Sequence, residues 1–251
     1  MKTAVVLGLR GLQRGDSFEL FSNRDDAGNF DDIVYTAGGR RYYQQLKHVE
    51  SPEMKKLTEE VLVKLLVKCF KSYCDIKHGD NFRDIQIDNS QIIIYTNKEL
   101  TPAILKHKRS HREVDIFFKT SEGRQIFSFL PDKKKEIDVY TLLEKAVNQS
   151  NEICDSSDRE IVSEFLSKLI IATSQRGQRE LDEVIFEEIR KHDAAMVDNE
   201  VYKTELLEFK TRVELWCRTK KDKMTAAKFK NWLQEAKTKA CASVVRSLFD
   251  S

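Results

Sequence analysis

Phe30-Asp31-Asp32-Ile33-Val34-Tyr35-Thr36, then Ala37-Gly38-Gly39-Arg40, then Arg41-Tyr42-Tyr43-Gln44-Gln45-Leu46-Lys47-His48-Val49 is the stretch that decides the fold. Two runs rich in β-branched and aromatic residues flank a Gly-Gly connection, which predicts two antiparallel strands joined by a tight turn. Side chains alternate along a strand, so Tyr43, Gln45 and Lys47 share one face, while Asp31 and Asp32 stand where the preceding strand begins. Neighbouring strands lie about 4.8 Å apart, so a carboxylate, an amide and an ammonium can converge on one spot.

Working outward, Ser17-Phe18-Glu19-Leu20-Phe21-Ser22 alternates apolar and polar residues and predicts a further strand, so the three form a meander. Ahead of it, Val5, Leu9 and Leu12 make one stripe of a short buried helix over residues 3–13. No capping residue precedes Lys2, so this helix is expected to be short of a turn. After the meander, Ser51 as N-cap and Pro52 at the first helical position predict an amphipathic helix over 52–73, with Leu57, Val61, Leu65 and Cys69 on its inner face. Gln91-Ile92-Ile93-Ile94-Tyr95-Thr96 is almost continuously apolar, as in a strand covered on both faces. A fifth strand falls at 114–119 or 125–129. Beyond Leu130-Pro131-Asp132 helical periods follow at 139–149, 161–174, 178–192, 201–218 and 226–249. The expected architecture is an α/β core with a mixed sheet in residues 1–130, followed by an all-α helical bundle in 131–251.

The 251 residues include 40% apolar and 33% charged side chains with only 9 Gly and 3 Pro, a composition that excludes collagen-like and disordered chains. Apolar stretches are too short for a membrane span, and the first residues lack the apolar length of a signal peptide. An intracellular protein, cytoplasmic or nuclear and without a membrane partner, is therefore expected. Cys69, Cys74, Cys154, Cys217 and Cys241 are odd in number and never form a CxxC pair, which suits a reducing compartment. A net charge of +2 excludes a bulk polycation but leaves local basic segments. Lys106, Lys108, Arg109 and Arg112 form the densest of these and are the candidate nucleic-acid contacts; Lys133-Lys134-Lys135 and Lys220-Lys221-Asp222-Lys223 are lesser ones. His107 and His111 stand four apart without a third metal ligand nearby, and Trp216 and Trp232 read as helix core.

The converging Asp, Gln and Lys suit phosphodiester hydrolysis. Magnesium takes hard oxygen ligands and keeps several waters, so few protein groups suffice to hold it. It polarises the phosphate and acidifies a water, while a lysine stabilises the developing charge. Asp32 is then the ligand and Lys47 the cation. The same residues also fit an ordinary charged pair on a hairpin.

The order helix, strand, Asp-Asp at a strand start, Gln-x-Lys on the next strand, helix resembles the restriction-endonuclease-like core of the PD-(D/E)XK nuclease superfamily, in its Gln-x-Lys variant. More narrowly, Gly28-Asn29-Phe30-Asp31-Asp32-Ile33-Val34, Gln44-Gln45-Leu46-Lys47-His48 and Tyr95-Thr96-Asn97 are similar to the double-stranded DNA endonuclease domain of bacterial antiphage effectors. They are also similar to the front segment of arthropod ankyrin-repeat proteins. By motif the resemblance covers residues 1–130. It implies an Mg²⁺-dependent endodeoxyribonuclease acting on double-stranded DNA in antiviral defence, with Asp32, Gln45 and Lys47 as catalytic residues. Asp32, the Leu46 carbonyl, Asp31 and Glu19 are the metal ligands it implies. Gln45 offers a neutral oxygen where many relatives have Glu, and no acid occurs before Asp16. The alternative is a catalytically inactive module that binds nucleic acid or protein; homo-oligomerisation is left open.

Overall fold

The computed structural model of the chain describes residues 1–22, 32–47, 56–78, 87, 89–100, 109–110, 125–128, 159–177, 179–192, 200–219 and 222–249. In chain order these give α1 (Lys2–Gln13), β1 (Phe18–Phe21), β2 (Ile33–Ala37), β3 (Arg40–Lys47), β4 (Lys56–Leu57) and α2 (Glu59–His78). There follow β5 (Ser90–Thr96), β6 (Glu99–Leu100), β7 (Arg109–Ser110), β8 (Gln125–Ser128), α3 (Arg159–Lys168) and β9 (Leu169–Thr173). The chain continues through α4 (Glu180–His192), α5 (Glu200–Thr219), β10 (Met224–Thr225) and α6 (Ala226–Phe249). The protein is thus of mixed α/β class.

Two compact units are built from interleaved segments. The first comprises Met1–Asn23, Tyr35–Gly39 and Gln178–Ser251. Its centre is α1, in which every residue from Thr3 to Gly11 is buried. Phe18, Phe209 and Phe229 meet around it in edge-to-face contacts, with ring centroids 5.9 and 5.3 Å apart. β1 pairs antiparallel with β10, Glu19 opposite Thr225.

The second unit comprises Arg24–Val34 and Arg40–Gly177. Its sheet runs β2-β3-β5-β9-β8-β7, with Ile33 and Val34 as the share of β2 that belongs here. β3, β5 and β9 are mutually parallel, and β8 and β7 run antiparallel. A parallel neighbour needs a crossover, and α2 supplies it between β3 and β5. β5 and β9 are buried along nearly their whole length, as their continuous apolar sequences require. Phe165 of α3 packs against Phe70 and Tyr73 of α2, with centroids 5.4 and 5.5 Å apart.

Two sequence expectations are corrected. The helix expected from Pro52 begins at Glu59, because Lys56-Leu57 pairs in parallel with Glu99-Leu100 as a small second sheet. Thr58 takes the capping role, its hydroxyl accepting the Val61 N–H at 3.4 Å. The helix expected over 161–174 stops at Lys168, and Leu169-Ile170-Ile171-Ala172-Thr173 becomes the strand between β5 and β8. A run dominated by β-branched residues satisfies both periods, and pairing on both edges decides for the strand. Of the two sites for a fifth strand, 125–128 forms β8, while 114–119, the helix at 139–149 and the boundary at 130–132 lie outside the described residues.

Candidate functional site

Asp32 stands at the start of β2, positioned by the buried Ile33 and Val34 that follow it. Its Oδ2 accepts the backbone N–H of Leu46 at 2.7 Å and the Nε2–H of Gln45. Gln45 is 5% exposed, whereas Lys47 at the end of β3 is exposed. One face of the sheet therefore carries a carboxylate clasped by the backbone and side chain of its neighbour strand, with a lysine two residues on. Gln44 alternates to the other face, fully buried, and neither end of its amide has a partner among the described residues.

The carboxyl ends of β3 and β5 are tied together through Thr96. Its hydroxyl donates to the Lys47 carbonyl at 2.6 Å and accepts the Lys98 N–H at 3.2 Å. In register, Gln45 lies beside Ile94 and Lys47 beside Thr96. On α2, Cys69 is completely buried and close enough to feel both charged members of the site. Burial pushes its thiol up to about 12; Asp32 adds to that rise and Lys47 works against it.

Next to Lys47 the second unit opens a cleft of about 260 Å³. Among the described residues, Lys47, Lys64, Lys68 and Lys98 are the charged ones lining it, and Leu57, Leu65 and Ile94 supply an aliphatic floor.

No family model matches the chain, and no curated protein does either. The function must be argued from the site.

The geometry brings together Asp32, Gln45 and Leu46, with Lys47 at the adjoining cleft. Glu19 on β1 is engaged by the Lys223 ammonium at 2.5 Å. Asp31, Lys106, Lys108, Arg112, His48, His107, His111, Lys133–Lys135 and Lys220–Lys221 lie outside the described residues. Arg109 contributes its backbone to β7, opposite Ser128. Trp216 is core, 3% exposed. Trp232 departs from the expected core position: it is half-buried under the Arg212 guanidinium, 4.3 Å from the ring centroid, with Lys228 at 5.6 Å. Among the described residues no three His, Cys, Asp or Glu side chains gather as a metal cluster.

The donor set still fits a hard cation that keeps most of its waters. Asp32 offers a carboxylate, and a turn of the Gln45 amide replaces its N–H with Oε1 beside that carboxylate. The residues the sequence did not single out are Lys64, Lys68 and Lys98. Lys64 and Lys68 carried a readable signal, being one helical turn apart on α2, but Lys98 joins them only through the parallel register of β3 and β5.

Proposed function

We propose that Asp32, Gln45 and Lys47 form the centre of a metal-dependent DNA endonuclease of PD-(D/E)XK type, with Mg²⁺ as cofactor. The observation that carries this reading is the contact of the Asp32 carboxylate with both the Gln45 side chain and the Leu46 backbone. The chain order α1-β1-β2-β3-β4-α2-β5, with β5 parallel to β3, supports it, because apart from the two-residue β4 it follows the succession the resemblance implies.

Asp32 and Gln45 are the residues that would hold the ion, aided by the Leu46 carbonyl and, on the resemblance, by Asp31. Bound there, magnesium supplies Lewis-acid polarisation of the phosphate and acidification of a water. The Leu46 N–H fixes the Asp32 carboxylate before substrate arrives. Lys47 sets a positive charge where negative charge develops on the phosphate oxygens. Double-stranded DNA is the substrate and antiviral defence the setting on this reading.

Nicking of supercoiled plasmid in Mg²⁺ tests it. Asp32→Ala and Lys47→Ala are each expected to lose at least a hundredfold in rate with the fold intact by circular dichroism. Undiminished nicking by both variants overturns the assignment. A second reading, a module that binds DNA without cutting, is favoured by the single carboxylate that the described residues bring to the spot. It predicts equal plasmid retardation in chelator and in Mg²⁺, with the DNA left whole.

A further inference from the structure

We infer that Thr96 is a positioning residue for Lys47, its buried hydroxyl fixing the end of β3 so that the lysine is held in place beside Asp32. The chemistry of that role rests on the nuclease reading; the clamp itself rests on geometry. Leu46 and Lys47 are pinned from both sides. The Leu46 N–H is held at 2.7 Å by the carboxylate of Asp32, just ahead of β2, and the Lys47 carbonyl at 2.6 Å by the Thr96 hydroxyl of β5. Between those two bonds lie the Leu46 carbonyl and the root of the Lys47 side chain, the groups that the proposed reaction takes from this stretch.

Lys47 and Thr96 are the last register pair of β3 and β5, so the carbonyl is caught where the two strands part. Lys47 is exposed, and an ammonium on a flexible four-carbon stem is aimed mainly through its backbone. Thr96 is suited to holding that backbone. It is fully buried, and a β-branched side chain has few χ1 rotamers, so the hydroxyl keeps one aim. It also accepts the Lys98 N–H at 3.2 Å, which leaves its single proton for the Lys47 carbonyl. The segment after β9 braces Thr96 in turn. The Gln175 N–H donates to the Thr96 carbonyl at 3.1 Å and the Ser174 N–H to the Lys98 carbonyl at 2.9 Å. Ser174 takes a left-handed φ of 52° there, and backbone strain of this kind gathers at sites whose geometry matters.

Plasmid nicking in Mg²⁺ and backbone amide exchange, both on the full chain, test this in parallel. Thr96→Val keeps the shape and removes the hydroxyl. It is expected to lower kcat about thirtyfold with KM within about twofold, since a misplaced cation weakens the transition state and not substrate binding. Thr96→Ser restores the hydroxyl and should come within about threefold of the parent. In a Lys47→Ala background Thr96→Val should cost less than about twofold more, because a residue acting through the lysine then has nothing left to position. Independently of cutting, the Leu46 amide should exchange at least tenfold faster in Thr96→Val and at the parent rate in Thr96→Ser, with the Ile93 amide unchanged in both. Should Thr96→Val fail to melt cooperatively, Thr96→Ala takes its place in every comparison. A parent-like kcat in Thr96→Val, no rescue by Thr96→Ser, or a full additional loss on Lys47→Ala overturns the positioning role. If the parent protein leaves plasmid whole, the nuclease reading falls and the Leu46 amide decides the clamp alone: faster exchange reversed by serine keeps it, and unchanged exchange removes it.

Discussion

Burial holds the Cys69 thiol at about 12 and that of Cys217 at about 11, so both stay neutral where an unfolded chain would ionise them near 9. The folded state then binds more protons than the unfolded one, and stability is expected to be full below pH 9 and to fall as pH rises from there toward 11 or 12. Chemical denaturation across this window checks it, and Cys69→Ala should flatten the decline whatever it does to stability at neutral pH. The Gln44 amide is buried without a partner among the described residues. An unsatisfied buried polar group costs about 1–3 kcal/mol, so Gln44→Met, close in volume, is expected to raise stability by about 1 kcal/mol or more. A lower denaturation midpoint would show that the amide has a use. The Gln-x-Lys spacing was readable in the sequence because a strand has period two. That no described group meets the Gln44 amide was not readable, since alternation says which face a residue takes and nothing of what awaits it there.

Among elements, α1 shows packing overriding propensity. Gly8 and Gly11 each cost a helix about 1 kcal/mol relative to alanine. A Cβ at Gly8 would overlap the Phe229 ring, and one at Gly11 would overlap Phe18 and the Tyr35 hydroxyl. Gly8→Ala is therefore expected to destabilise by about 2 kcal/mol, against the gain that propensity alone promises, as measured by thermal melting. The same helix is pinned to α4 by Arg10, whose Nε donates to Glu188 at 2.9 Å with Glu188 only 2% exposed. Burial pushes the Glu188 carboxyl up, but Lys191 and Arg10 together bring it below the usual glutamate value. With its folded pKa depressed, Glu188 contributes stability above about pH 4.5 that is lost as pH falls through its folded pKa. Glu188→Gln should lower the midpoint at pH 7 and narrow the gap to the parent protein in acid. The apolar stripe of α1 was legible; its glycines read as weakness because the rings they make room for, Phe229, Phe18 and Tyr35, come from other elements. β9 was misread for a related reason, its apolar run being equally compatible with a buried helix until pairing partners are known.

For the molecule as a whole, the two units share the chain in alternation instead of dividing it at one point. A fragment of residues 1–130 carries α1 and β1 without α4, α5 and α6, and β5 and β8 without β9. It is expected to show no cooperative unfolding transition, whereas the full chain should unfold cooperatively; a sharp melt of the fragment would refute this. The succession of strand and helix patterns correctly announced a mixed α/β protein, and among the described residues no helix is long and apolar enough to cross a membrane. What composition and local pattern could not announce is the long-range pairing, because sequence separation leaves no mark on either partner.

That separation bears on how the protein is made. Arg10 and Glu188 are 178 residues apart, and ribosomes add about 5–20 residues each second, so the first helix waits roughly ten to thirty-five seconds for its partners to emerge. During that interval a nascent chain displays an apolar helix of its first unit to water, so its yield should depend on chaperones that shelter such surfaces during translation.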